Sequence, residues 1–223
     1  MKTKKKVNPT EKALSLWGII LIIWAFYRSY FKMPIWFDEL VAKPLVFVLP
    51  VFYYVKKIDK QNIIDFFYLR FSYKSFVKDL FYSLLIGGFF FITNILAFYF
   101  RTGKIYFFEN LPSLVNLLLI IIFSLATGFS EEILSRGFIL KKLYEDSKNP
   151  LSSTFFASIL FFFLHVPMLF TNVKITGNLL LLFMMTDMLL SMVNGLIFLQ
   201  RKSLLPPIFI HAFYNIMISL III

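Results

Sequence analysis

Apolar runs of about twenty residues recur along this chain, and no other feature of the sequence restricts its fold so much. At about 1.5 Å per residue, a helix of that length crosses the roughly 30 Å hydrocarbon core of a bilayer. Within that core every backbone N–H and C=O must be bonded inside the structure, so such runs fold as helices. They fall at 13–31, 40–55, 80–100, 112 to about 146, 151–170, 178–199 and 206–223. The chain is 59% hydrophobic and 16% charged, where a soluble domain carries about 25% charged residues. The expected fold is an all-α polytopic membrane protein with about seven transmembrane helices, forming one membrane domain over 1–223.

The connecting segments refine this picture. Residues 1–12 are basic, with Lys2, Lys4, Lys5, Lys6 and Lys12. The first span follows them in the charge order of a signal peptide, but it is long and lacks a small-x-small cleavage site, so it reads as an uncleaved first helix. Pro44 and Pro50 predict a kink in the second span. Lys56 to Lys78 mixes basic and aromatic residues and reads as an interfacial amphipathic segment resting on lipid headgroups. Gly87-Gly88 predicts close helix packing in the third span. Pro112 opens the fourth helix, which meets no breaker except Gly128 before Asp146, and Lys148-Asn149-Pro150 marks the turn into the fifth. The chain thus divides into N-terminal helices with the interfacial segment, 1–111, and a half rich in buried polar candidates, 112–223.

Charge orients the spans. With the amino terminus in the cytoplasm, the inner segments (1–12, 56–78, 136–148, 201–202) hold 17 Lys or Arg, and the outer ones hold Arg28, Lys32, Lys43, Arg101, Lys104 and Lys174. This follows the positive-inside rule and predicts a multi-pass protein of the cell membrane with an extracytoplasmic carboxy terminus. The net charge of +11 then belongs to cytoplasmic loops, with no nucleic-acid partner. No cysteine is present, which excludes thiolate chemistry, and two histidines exclude a three-His zinc site.

Against this apolar background Ser130-Glu131-Glu132-Ile133-Leu134-Ser135-Arg136-Gly137 stands out. An ionisable group at the centre of a membrane helix costs roughly 2.5–3.5 kcal/mol, so such residues face protein or a wet cavity and are functional candidates. Glu131 lies 16 residues before Ser147 and His165 lies 18 after it. Across an antiparallel hairpin both sit at similar depth, about 24–27 Å from the turn. His211 and Asn215, four apart, share a face of the seventh helix and enter from the same side. Glu132 and Arg136 have the spacing of an internal ion pair, which leaves Glu131 as the unpaired carboxylate and candidate base. Asp187 and Asn194 share a face of the sixth helix, where they either line the cavity or hydrogen-bond packed helices. Taken singly, His165 could be an interhelical hydrogen-bonding residue and Phe161 ordinary packing.

The order Glu131-Glu132-xxx-Arg136, Phe161-xxx-His165, His211-xxx-Asn215 resembles the CPBP family of intramembrane proteases, which comprises CAAX prenyl-protein endopeptidases and bacteriocin-processing (Abi) enzymes. Leu205-Pro206-Pro207 before His211 fits as well, and the resemblance covers about Pro112 to Ile223 as a catalytic core. It implies an endopeptidase in which Glu131 is the general base and His165 shares or positions the attacking water. His211 and Asn215 would donate to the oxyanion, Glu132 and Arg136 would support the motif, and Phe161 would pack beneath. The implied partners are a peptide or membrane-protein substrate and the lipid bilayer, in peptide processing or bacteriocin self-immunity. Glu131, His165 and His211 also form an alternative zinc set. Asn215 beside His211 suits an oxyanion hole better than a zinc shell, so a metal-free mechanism is favoured. The rival reading is a non-catalytic immunity, binding or scaffold protein. A transporter would show an internal repeat of broken helices, and the sequence shows none.

Overall fold

A computed structural model describes residues 8–69, 72–103, 112–171 and 177–222. Lys2, Lys4, Lys5, Lys6, Arg70, Lys104 and Lys174 lie outside the described residues. Within them all regular structure is helical. Helix α1 is Pro9–Tyr30, α2 is the continuous run 35–58, α3 is the single turn Ile63–Phe66, and α4 is Tyr73–Thr102. They are followed by α5, Leu114–Ser147, α6, Pro150–Thr171, α7, Gly177–Arg201, and α8, Leu205–Ile222. The protein is an all-α polytopic membrane protein. Among the described residues four helical stretches, Pro9–Tyr30, Tyr73–Thr93, Leu114–Ser147 and Pro150–Pro167, are long and apolar enough to cross a bilayer.

Local chemistry explains where the helices begin and end. Asn8 caps α1, its Oδ1 accepting the Thr10 N–H while Glu11 receives the Asn8 N–H, and Pro9 sits in the first turn. Gly103 closes α4 at φ 68°, the left-handed region that favours glycine. Pro112 precedes the α5 cap rather than opening the helix: Ser113 accepts the Asn116 N–H. The turn expected at 148–150 is present. Lys148 adopts φ 54°, Asn149 Oδ1 accepts the Ser152 N–H, and Pro150 starts α6.

The second span departs from expectation in an instructive way. Each proline removes a backbone donor, and α2 continues through Pro44 and Pro50 with π-type turns at Asp38–Ala42, Pro44–Val48 and Tyr54–Ile58. Lys43, assigned from its position to an outer loop, is inside this helix and buried. Segment 56–78 is likewise no single interfacial helix. It comprises the end of α2, the turn α3 and the start of α4. Phe66 and Phe67 are buried there, Phe66 packing on Phe138 and Phe67 on Phe52, because two adjacent rings stabilise more when packed than when left at an interface.

The bundle is inverted relative to a soluble protein. Ile22, Phe81, Phe89 and Leu151 are exposed, whereas Glu132, Arg136, Asp187 and Asn194 are buried. One apolar core joins α1, α2, α3 and the Ile133–Leu140 turns to α6. A second joins α4, α7 and α8 through Phe90, Leu190, Ile210 and Tyr214. Gly87 meets Phe213 of α8, while Gly88 faces open space.

Gly128 sets a close crossing of α5 and α8. A Cβ there would lie 2.8 Å from the Ile208 carbonyl oxygen and 3.7 Å from His211 Cβ. Its absence lets α8 lie against α5 one turn before the carboxylates. Because the obstructing atom is backbone, Gly128→Ala should cost about 1–3 kcal/mol, readable as a lowered thermal midpoint in detergent. An unchanged midpoint would mean that α8 can slide without loss.

Candidate active site

Glu131 and Glu132 end the first stretch of regular α geometry in α5; Ile133–Leu140 continues as π turns, and α geometry resumes at Lys141. The wider turn changes the angular step between residues, a device common at functional sites. All eight residues of that stretch are buried. Helix α5 thus carries its charged residues where α2, α6, α7 and α8 can meet them.

Glu132 is a hub. Its Oε1 accepts from Arg136 Nη1 at 3.0 Å, His211 Nδ1 at 2.8 Å and Asn194 Nδ2 at 3.2 Å. The expected pair with Arg136 is present, but two further helices use the same oxygen. Asn194 Nδ2 also donates to the Pro207 carbonyl at 3.3 Å. A carboxylate oxygen only accepts, so His211 carries its Nδ1 proton towards Glu132 and turns Nε2 the other way.

That other way is towards Glu131. The Nε2 atoms of His211 and His165 each stand 3.7 Å from Glu131 Oε2. His165 is oriented by its own Nδ1, which lies 3.2 Å from the Phe161 carbonyl and 3.5 Å from Asp187 Oδ2. Phe161 packs between the two imidazoles, with ring centroids 4.8 Å from His165 and 5.9 Å from His211. The Arg136 guanidinium lies 4.5 Å from the centre of the same ring, a cation–π contact that helps accommodate the buried charge.

Three helices therefore bring together Glu131, His165 and His211, with Glu132, Arg136 and Phe161 beneath them. Asp187 and Asn194 separate: Asp187 faces His165, while Asn194 belongs to the Glu132 hub. Asn215 lies one turn beyond His211, half-buried, and makes no hydrogen bond to these residues. The exposed edge of the group is His165, whose side chain is 18% accessible, against 6% for Glu131 and 3% for His211.

Glu131 is not unpaired. Lys43 of α2 places Nζ 2.9 Å from Glu131 Oε1 and 2.7 Å from Glu39 Oε2, and Glu39 accepts in turn from the Thr127 hydroxyl. Sequence reasoning missed this lysine. The signal was present, a Glu39/Lys43 pair at i, i+4 in an apolar run, which the depth criterion applied to α5 would also have selected. The alternative zinc set does not fit this arrangement. Among the described residues no three His, Asp or Glu are spaced to hold a metal ion. A dication bound to Glu131 would also sit beside an ammonium already 2.9 Å from that carboxylate.

Residues 113–217 match the model of a family described as Rce1-like, type II CAAX prenyl endopeptidases. No curated protein and no solved structure matches the chain.

Proposed function

Because this chain carries a CPBP, Rce1-like domain over residues 113–217, we propose that it is an intramembrane endopeptidase that hydrolyses a peptide bond with water activated by Glu131. One observation carries the reading: a buried carboxylate oxygen faces two imidazole nitrogens, each at 3.7 Å. These separations exceed a direct hydrogen bond, and a water between the three atoms would reach all of them. Glu131 takes a proton from that water as its oxygen bonds to the scissile carbonyl carbon. The carbonyl π electrons move to oxygen. On collapse the C–N bond breaks and the proton passes from Glu131 to the departing amine, leaving a carboxyl and an amino terminus.

The two histidines have separate tasks. His165, held at Nδ1 by the Phe161 carbonyl and Asp187, positions the water and is the member nearest the entrance. His211 donates to the oxyanion from Nε2 when its ring carries both protons, and the Glu132 carboxylate at Nδ1 balances that charge. Asn215, one turn along α8, supplies a second donor once substrate draws it in. Seven spans, a cytoplasmic amino terminus and an outer carboxy terminus complete the proposal, with the site opening inward. The substrate is a short hydrophobic peptide or a membrane-protein terminus, in peptide processing or bacteriocin self-immunity.

The test is a survey of peptide termini in cells expressing the wild type or Glu131→Gln at equal membrane levels. New termini that vanish in the variant support the enzyme and name its substrate. Identical sets, with His165→Ala also silent, favour a binding or immunity protein instead. Activity is expected to survive chelators. Stoichiometric zinc in active protein, lost together with activity, would overturn the metal-free mechanism.

A further inference from the structure

Lys43 lies seventy residues before the matched stretch 113–217, yet its ammonium is inside the site. Its side chain is 7% exposed and bridges two carboxylates, Glu131 at 2.9 Å and Glu39 at 2.7 Å. Thr127, one turn before Glu131 on α5, fixes Glu39 from the other side. The π turn Asp38–Ala42 ends on the Lys43 N–H, which bonds the Asp38 carbonyl. The lysine is thus held by backbone and by an anion on its own helix, which a hydroxyl on the facing one fixes in turn.

We propose that Lys43 is a positioning residue for the reaction, fixing Glu131 through Oε1 as an ionised carboxylate so that Oε2 is presented to the two imidazoles. This rests on the reading of Glu131 as the base. The division of labour within the carboxylate is the central observation. Oε1 takes the ammonium, and Oε2 faces both Nε2 atoms. A carboxylate bound at neither oxygen could rotate about its last torsion, and a buried one without a counter-charge would take up a proton and cease to be a base. A lysine serving only to join α2 to α5 would be satisfied by Glu39, which Thr127 already ties to α5. This one reaches past them to the residue placed to activate water.

The experiment is infrared difference spectroscopy on the full chain in detergent, subtracting Glu131→Gln from its parent. In the wild-type background the subtraction should show an ionised carboxylate stretch. In the Lys43→Met background it should show the C=O stretch of a protonated carboxyl group, and Lys43→Arg should restore the carboxylate band. A carboxylate band that persists unchanged in Lys43→Met overturns the proposal. Where Lys43→Met does not fold, Glu39→Gln replaces it. Freeing the ammonium from its second anion should shift the Glu131 band, and an unshifted band is the contrary result. Kinetically, Lys43→Met should lower kcat up to about 100-fold with KM little changed, with recovery in Lys43→Arg. A lowered thermal midpoint with unaltered kcat would make Lys43 a strut only. Absence of proteolysis by the wild type would remove the enzyme reading and leave the infrared result to stand on its own.

Discussion

Replacing Glu131 by Gln is expected to slow peptide hydrolysis by about 10²–10⁴-fold, the range of a general base. The amide is nearly isosteric but cannot accept the proton of an attacking water. Lys43 would still have Glu39, 2.7 Å away, as its counter-ion, so the fold should persist. The measurement is kcat on a peptide identified from the terminal survey, with protein reconstituted in liposomes and its thermal midpoint recorded alongside. A fall in kcat with KM nearly constant identifies an interaction made in the transition state. Equal losses in folding and rate would instead make the carboxylate a structural anion. Full activity in the variant would move the base elsewhere.

Glu132→Ala should produce the largest loss of stability in the molecule. It strips the counter-ion from Arg136, which is 2% exposed, and removes the acceptor shared by His211 and Asn194. Breaking a buried pair by deleting one partner typically costs about 3–5 kcal/mol, because the remaining charge is stranded. Thermal unfolding in detergent reads this directly. The double variant Glu132→Leu/Arg136→Met is the control: with both charges gone, much of the loss should be regained. A double variant no more stable than Glu132→Ala would shift the importance to the His211 and Asn194 bonds.

Much of this arrangement was legible because helix geometry converts sequence distance into depth. Counting residues from the 148–150 turn put Glu131 and His165 at one level, and the structure holds them 3.7 Å apart. The i, i+4 spacing located the Glu132–Arg136 pair for the same reason. What escaped notice depended on features that spacing does not encode. Lys43 falls among the outer charges by its place near the start of the second span, whereas the helix begins at Ile35, carries Lys43 inside and continues through Pro44 and Pro50 with π turns. Segment 56–78 reads as one amphipathic stretch because it mixes basic and aromatic residues, and spacing does not reveal that it divides among three helices. Which rings turn inward is decided by space over Gly137, where a Cβ would lie 2.5 Å from the Phe67 ring. The role of Gly128 was similarly hidden, since a glycine in a helix reads equally as a breaker or a contact.

The convergence on Glu132 Oε1 also bears on when the molecule becomes whole. Of its three donors, Arg136 travels on the same helix, Asn194 comes with α7, and His211 arrives with α8. In the order of synthesis α8 follows the other two. Until it inserts, Glu131 has one imidazole beside it rather than two, and the oxygen that orients the second is incompletely bonded. On the proposed mechanism, reactivity would therefore wait for α8. Among the helices that supply these donors, α8 is the one whose arrival completes the set on Glu132 Oε1.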